Sequence, residues 1–325
     1  VFAAALSLTL FPLPPGPLPA RAAAAKALPL LARAAAGHAE QKSCFACHNQ
    51  AVPLMAHKAA GARGFAAPGD LMTAQAEHVV GFLGSNRERF LKGQGTGGGV
   101  DTAGYALFTL EQAGHAADDT TAAVAEYLLL AQADRDHWKT SSNRPPTEAS
   151  SFATTYLAVR GLARWATPAQ KDRADRRVAA ARAWFVKARP ADTEDRVFRL
   201  FGLKAAGAAE AEVAAAAREL LKTQRPDGGW GQLDALPADP YATGTALVAL
   251  REAGGLAADH PAYARGVAFL LRTQLPDGSW WVRSRSKPFQ PYYESGFPHG
   301  ADQFISAAAT GWAATALVLT SPERR

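Results

Sequence analysis

The chain has no second cysteine pair, no long uninterrupted apolar run beyond its first residues, and no dense basic tract. Two cysteines in 325 residues exclude a disulfide scaffold and leave a structural zinc site short of its usual four ligands. No later apolar stretch approaches the ~20 residues needed to cross a bilayer. The net charge of +6 is dispersed, and its densest run, 171–177, alternates with acids as a solvated helix face does. No nucleic-acid partner is expected. Runs of β-branched residues are scarce and alanine is abundant, which disfavours sheet and favours helix. The glycine-rich stretch 93–99 lacks a P-loop lysine and follows no strand, so it is read as a linker.

What the chain does have is Cys44-Phe45-Ala46-Cys47-His48, the spacing of covalent c-type haem attachment. In a helix, Cys44, Cys47 and His48 fall at i, i+3 and i+4 and project from one face. The expectation is one covalent haem c held by Cys44 and Cys47, with His48 as proximal iron ligand. His299 is the preferred second ligand and Met55 the alternative. The N-terminus fits an exported protein. Val1 to Leu13 is apolar, prolines at 12, 14, 15 and 17 break it, and Ala20-Arg21-Ala22-Ala23 offers a small-residue cleavage site. Residues 1–25 are thus expected to be an export signal and 26–43 a flexible leader. Residues 44–325 would form one domain, periplasmic or secreted, with no transmembrane anchor once the signal is removed.

From about residue 100 the chain repeats. Asp101 to Gly114 is echoed by Tyr241 to Gly254, with looser copies at 152–165, 194–207 and 309–319. These short, nearly all-apolar helices alternate with charged amphipathic ones near 118–132, 168–188, 210–224 and 260–274. Gln224-Arg225-Pro226-Asp227-Gly228-Gly229-Trp230 and Gln274-Leu275-Pro276-Asp277-Gly278-Ser279-Trp280 end two of the latter, fifty residues apart. Buried and amphipathic helices alternating at this period mark a helical-pair repeat. The predicted architecture is all-α: a single α/α toroid of about six inner and five to six outer helices, the CxxCH helix being the first inner one.

Those Asp-Gly-Gly/Ser-Trp endings, each followed by a small apolar helix (Ala-Thr-Gly-x-Ala-Leu after the first), resemble the repeats of the squalene cyclase and prenyltransferase superfamily over roughly 100–320. More narrowly, the chain resembles bacterial proteins that join such repeats to an N-terminal CxxCH. The resemblance implies the toroid fold.

Parallel inner helices would ring one mouth with their N-termini, which carry Asp101, Glu148, Glu194, Asp195, Asp239 and Asp302. Acids there cap free N–H groups and complement the helix dipole. Asp192-Thr193-Glu194-Asp195 also resembles the Asp-x-Asp-Asp of class II terpene cyclases, which implies Glu194 as a catalytic acid beside Asp195. Arg196 close by would keep such an acid ionised. The interrupting segment 281–303 is expected to lie at the same mouth, with Arg283 and Arg285 on haem propionates and Tyr292 against the macrocycle. Together these features predict an exported monohaem c-type redox protein. It would pass electrons to a redox partner protein, or act through haem on a small or apolar ligand. The alternatives are a terpenoid cyclase-like enzyme using Glu194 and a non-catalytic docking module of a redox complex.

Overall fold

The computed structural model describes residues 17–66, 68–288 and 291–324. The apolar stretch 1–13 expected to serve export lies outside the described residues, and the rest of that segment from Pro17 onward belongs to the first helix. The chain enters through α1 (Pro17–Gln41), and a π-helical turn, Cys47–Ala51, leads into α2 (Val52–Gly61). There follow α3 (Leu71–Ser85), α4 (Arg87–Leu91), α5 (Gly99–Ala113), α6 (Asp119–Leu130) and α7 (Ser151–Trp165). Then come α8 (Lys171–Lys187), α9 (Thr193–Ala205), α10 (Glu210–Leu221), α11 (Pro240–Glu252), α12 (Pro261–Thr273) and α13 (Gln303–Val318). Among the described residues there is no strand, only two isolated bridges, Arg144 with Glu148 and Gly231 with Ala238.

The fold is the expected all-α toroid. Helices α2, α5, α7, α9, α11 and α13 each pack on the next, and α13 packs back on α2 to close an inner ring. Around it lie α1, α3, α6, α8, α10 and α12. The inner helices are buried almost throughout; in α13 every residue from Ile305 to Val318 is buried. A helix apolar on all sides is stable only when surrounded, so closure of the ring follows from the sequence of these segments. Close approach helps: a side chain at Gly244 of α11 would meet the backbone of α13 at Ala313 N within 2.8 Å.

The repeated tryptophans explain the repeated endings. Trp138, Trp230 and Trp280 are fully buried. Each indole Nε1 donates to a carbonyl of the preceding outer helix, at Leu128, Leu220 and Leu270 respectively (3.0, 3.0 and 2.8 Å). Each backbone N–H donates to a threonine hydroxyl of the next inner helix, Thr155, Thr243 or Thr310. The tryptophan therefore staples outer to inner helix and satisfies polar groups that burial would otherwise orphan. In the last two copies Asp227 and Asp277 close the turn by accepting from the backbone N–H two residues on. Gly228 and Gly278 supply the left-handed φ of 89° and 94° that it requires.

The N-terminal region differs from its reading as a leader. Residues 26–41 belong to α1, whose Ala24, Ala27, Leu28, Leu31, Ala34 and Ala35 are buried against α13, α2, α3 and α12. This helix takes the sixth outer position. Its small, weakly patterned apolar face looks like a spacer until the groove that covers it is present. No helix among the described residues is long and apolar enough to cross a membrane.

Candidate functional site

The inner-helix N-termini do converge on one mouth, and the acids there fall into different roles. At the start of α9, Asp192 is the N-cap and accepts from the Asp195 N–H (2.9 Å). Asp195 accepts from Ser150 Oγ (2.6 Å), itself the N-cap of α7, and from the Ala191 N–H (2.9 Å). Both hold helix ends together. Glu194 instead turns inward. It is 5% exposed, and its Oε1 accepts from the Tyr241 hydroxyl at 2.9 Å.

Burial, first, and then the Asp192, Asp195 and Asp239 carboxylates push Glu194 well above the usual carboxylic range; the Tyr241 hydrogen bond opposes them only partly. Burial likewise raises Asp239 and Asp101 to about 6. Arg196 and Arg285 act on Asp192, pulling it down against burial, while the Arg196 Nε faces Glu219 of α10 at 3.9 Å. Glu194 therefore meets the chief requirement of a neutral-pH acid, a proton held by burial among like charges. Beside it lies a void of about 10 Å³ lined in part by Asp192, Gln232, Tyr241 and Arg285, room for about one water molecule.

Along the axis in the other direction opens a cavity of about 310 Å³ contributed by all six inner helices. Tyr105, Phe108, Tyr156, Phe198, Phe201 and Trp312 form its aromatic wall. Glu194 is not in this wall. It lies four residues before Phe198, one turn along the same face of α9. Tyr105 lines both this cavity and the one at the mouth that Cys47 and His48 share. It is buried, and Glu194 is among the charges that act on it. Tyr241 and Tyr105 are the site residues the sequence reading passed over, having read both only as repeat positions.

The CxxCH segment is not arranged as expected. Ala46 is extended (φ −136°, ψ 117°), so Cys44 precedes the helix and the three residues share no helical face. Cys44 is exposed and Cys47 buried. Cys47 Sγ donates to Glu148 Oε1 at 3.6 Å, and Glu148 also pairs with Arg144. Burial pushes the Cys47 thiol up to about 11 and the His48 imidazole down to about 3.

The other expected haem contacts scatter. His299 Nε2 lies 2.8 Å from Ser279 Oγ, and neither cavity that His48 lines includes it. Met55 lines the aromatic cavity instead. Arg285 donates to Gln232 Oε1 at 2.9 Å, beside the Glu194 void. Arg283 is exposed. Tyr292 shares a cavity of about 170 Å³ with His48, but its hydroxyl donates outward to Glu294 (2.7 Å).

No family model matches the chain. Among curated proteins it is similar to the drimenyl diphosphate synthase of Streptomyces showdoensis, 33% identical over 208 residues, covering 59% of this chain and 37% of that protein. The squalene–hopene cyclase of Bradyrhizobium diazoefficiens is 36% identical over 108 residues, covering 28% of this chain and 15% of that one. The matched region thus spans well under half the length of either relative. Among solved structures the type II terpene cyclase MstE from Scytonema superposes with a TM-score of 0.54 at 16% identity, covering 94% of this chain and 98% of that one. A variant of it in complex with geranylgeranyl dihydroxybenzoate gives 0.53 at 13% identity, covering 92% and 98%.

These relatives correct the expectation of a haem c electron carrier. They are terpene cyclases and not cytochromes, and among the described residues no group of three or more His, Cys, Asp and Glu is placed to hold a metal ion. The CxxCH spacing misled because it implies one helical face, and the backbone at Ala46 removes that face. The chain has the toroid fold of the terpene cyclases.

Proposed function

We propose that the toroid cyclises an isoprenoid by protonation, with Glu194 as the acid. Carrying this is the burial of Glu194 among three other carboxylates, with one oxygen fixed by Tyr241. Similarity to the drimenyl diphosphate synthase and squalene–hopene cyclase, and the aromatic cavity one turn away, support the same chemistry.

In this scheme the terminal isoprene of the substrate advances past Phe198 towards Tyr105. The Glu194 Oε2–H bond breaks, and its proton adds to the less substituted alkene carbon. The adjacent tertiary carbon becomes the cation, and the π pair of the next alkene closes the ring. Loss of a proton from a carbon next to the last cation restores an alkene, so product and substrate are isomers. Aromatic faces of Phe198, Phe201, Tyr156 and Trp312 attract the moving cation electrostatically and deny it water. A water in the small void beside Asp192 returns a proton to Glu194.

Incubation of the protein with polyprenyl alcohols and diphosphates of graded length, followed by gas chromatography–mass spectrometry, tests this. The expected result is a cyclic isomer formed by the wild type and not by Glu194→Gln. Acyclic substrate recovered unchanged across the panel overturns the proposal.

A further inference from the structure

Three cationic side chains reach the rim of the aromatic cavity at its far end from Glu194, and each is already engaged. Arg160 places Nε and Nη2 on the two oxygens of Glu111 (2.6 and 3.1 Å) and Nη1 on the Tyr156 hydroxyl (2.7 Å). Its guanidinium also lies over Phe108, 4.7 Å from the ring centre. Arg63 donates to the Ser321 and Ala59 carbonyls (3.0 and 3.2 Å) and pairs with Glu323 (3.2 Å). Lys58 Nζ donates to the Glu111 backbone carbonyl (3.1 Å). Glu252 adds a further carboxylate to the lining. Three cations (Lys58, Arg63, Arg160) face three acids (Glu111, Glu252, Glu323), so the rim is close to neutral.

A prenyl diphosphate carries about three negative charges and is held by several charge-assisted, preferably bidentate, contacts. To supply them, this rim would have to give up the bidentate Arg160–Glu111 pair and strand the Glu111 carboxylate in a half-buried place. The opposite end is worse for an anion, since Glu194, Asp192 and Asp239 crowd there and Arg285 is bonded to Gln232. From this pairing pattern we propose that the cavity takes an isoprenoid with an uncharged head, a polyprenol or plain hydrocarbon, and discriminates against prenyl diphosphates. A volume of about 310 Å³ lies at the small end of ligand sites and suits a chain of about fifteen carbons.

This inference rests on the isoprenoid reading of the cavity but not on turnover, so binding is measured on Glu194→Gln. Isothermal titration calorimetry with the fifteen-carbon prenyl alcohol and its diphosphate is expected to show the alcohol binding at least about tenfold more tightly. Its affinity should be the same at low and high salt. Glu111→Gln in the same background releases Arg160 and should raise the diphosphate affinity several-fold. Equal or tighter diphosphate binding without that change overturns the proposal, and so does failure of both ligands to bind. Preferential alcohol binding by a protein whose wild type yields no cyclic product would leave this inference standing and remove the cyclase reading.

Discussion

The two ends of the toroid axis are built from the same six helices and differ in how they treat charge. At the N-terminal mouth, Glu194, Asp101 and Asp239 are buried without an ion-pair partner, and burial lifts all three, Arg144 offsetting it only in part at Asp101. At the C-terminal end Arg160 and Arg63 are each matched to a glutamate, and aromatic rings fill the space between. Buried acids without a matching cation cost stability, whereas matched pairs at a rim cost little. On the proposed reading, the first arrangement serves proton chemistry and the second apolar contact.

The sharpest way to break this contrast is Glu194→Gln, which keeps the Tyr241 contact but removes the proton. Turnover in the product assay should fall about 10²–10⁴-fold, with prenyl-alcohol affinity unchanged. Phe198→Ala, one turn away, should act on the other side of the comparison. Losing a buried ring costs about 3–5 kcal/mol in chemical denaturation, and alcohol affinity should drop about tenfold.

Asp101→Asn probes the cost of the acid end directly. Asp101 is raised to about 6 by burial, so the folded protein holds a proton that the unfolded chain releases near pH 4. That penalty is absent below pH 4, grows as pH rises to 6 and is constant above. Asn should therefore stabilise the protein at pH 8 by up to about 3 kcal/mol and give no such gain at pH 4. Urea melts at the two pH values decide it.

Tyr241→Phe should have the smallest effect. Its hydrogen bond is the one contact that lowers Glu194, and an acid works only while protonated. Its loss moves the high-pH limb of the rate profile upward and changes the maximal rate by less than about tenfold. A limb moving downward would show that Tyr241 instead holds the proton on Glu194.

Some of this was readable in advance and some was not, for reasons visible in particular residues. The Trp230 and Trp280 turns announce themselves because the sequence carries every part of the local mechanism: the Asp that closes the turn, the Gly at left-handed φ, the indole that follows. Glu194 stood out because Asp192, Glu194 and Asp195 fall within four residues, in a pattern that resembles a cyclase motif. Tyr241 and Tyr105 could not be singled out, since Tyr241 bonds Glu194 only across the ring, and Tyr105 joins the cavity wall from a helix many residues distant. Helix α1 was mistaken for a leader because its small apolar residues gain nothing until α13 and α2 cover them. At CxxCH a motif defined by spacing presumed a helix, and one extended residue, Ala46, cancelled the presumption.

By itself the amino-acid order determined an all-helical chain, a repeat near fifty residues, and a ring of inner helices with acids at their starts. These are consequences of periodicity and local turn chemistry, which act over a few residues. Only the closed ring decided that Glu194 faces inward while Asp195 braces α7, that Met55 joins an aromatic wall and not a metal, and that the rim arginines are already matched. Burial and charge pairing depend on what arrives from the rest of the chain, and no short stretch encodes its own surroundings.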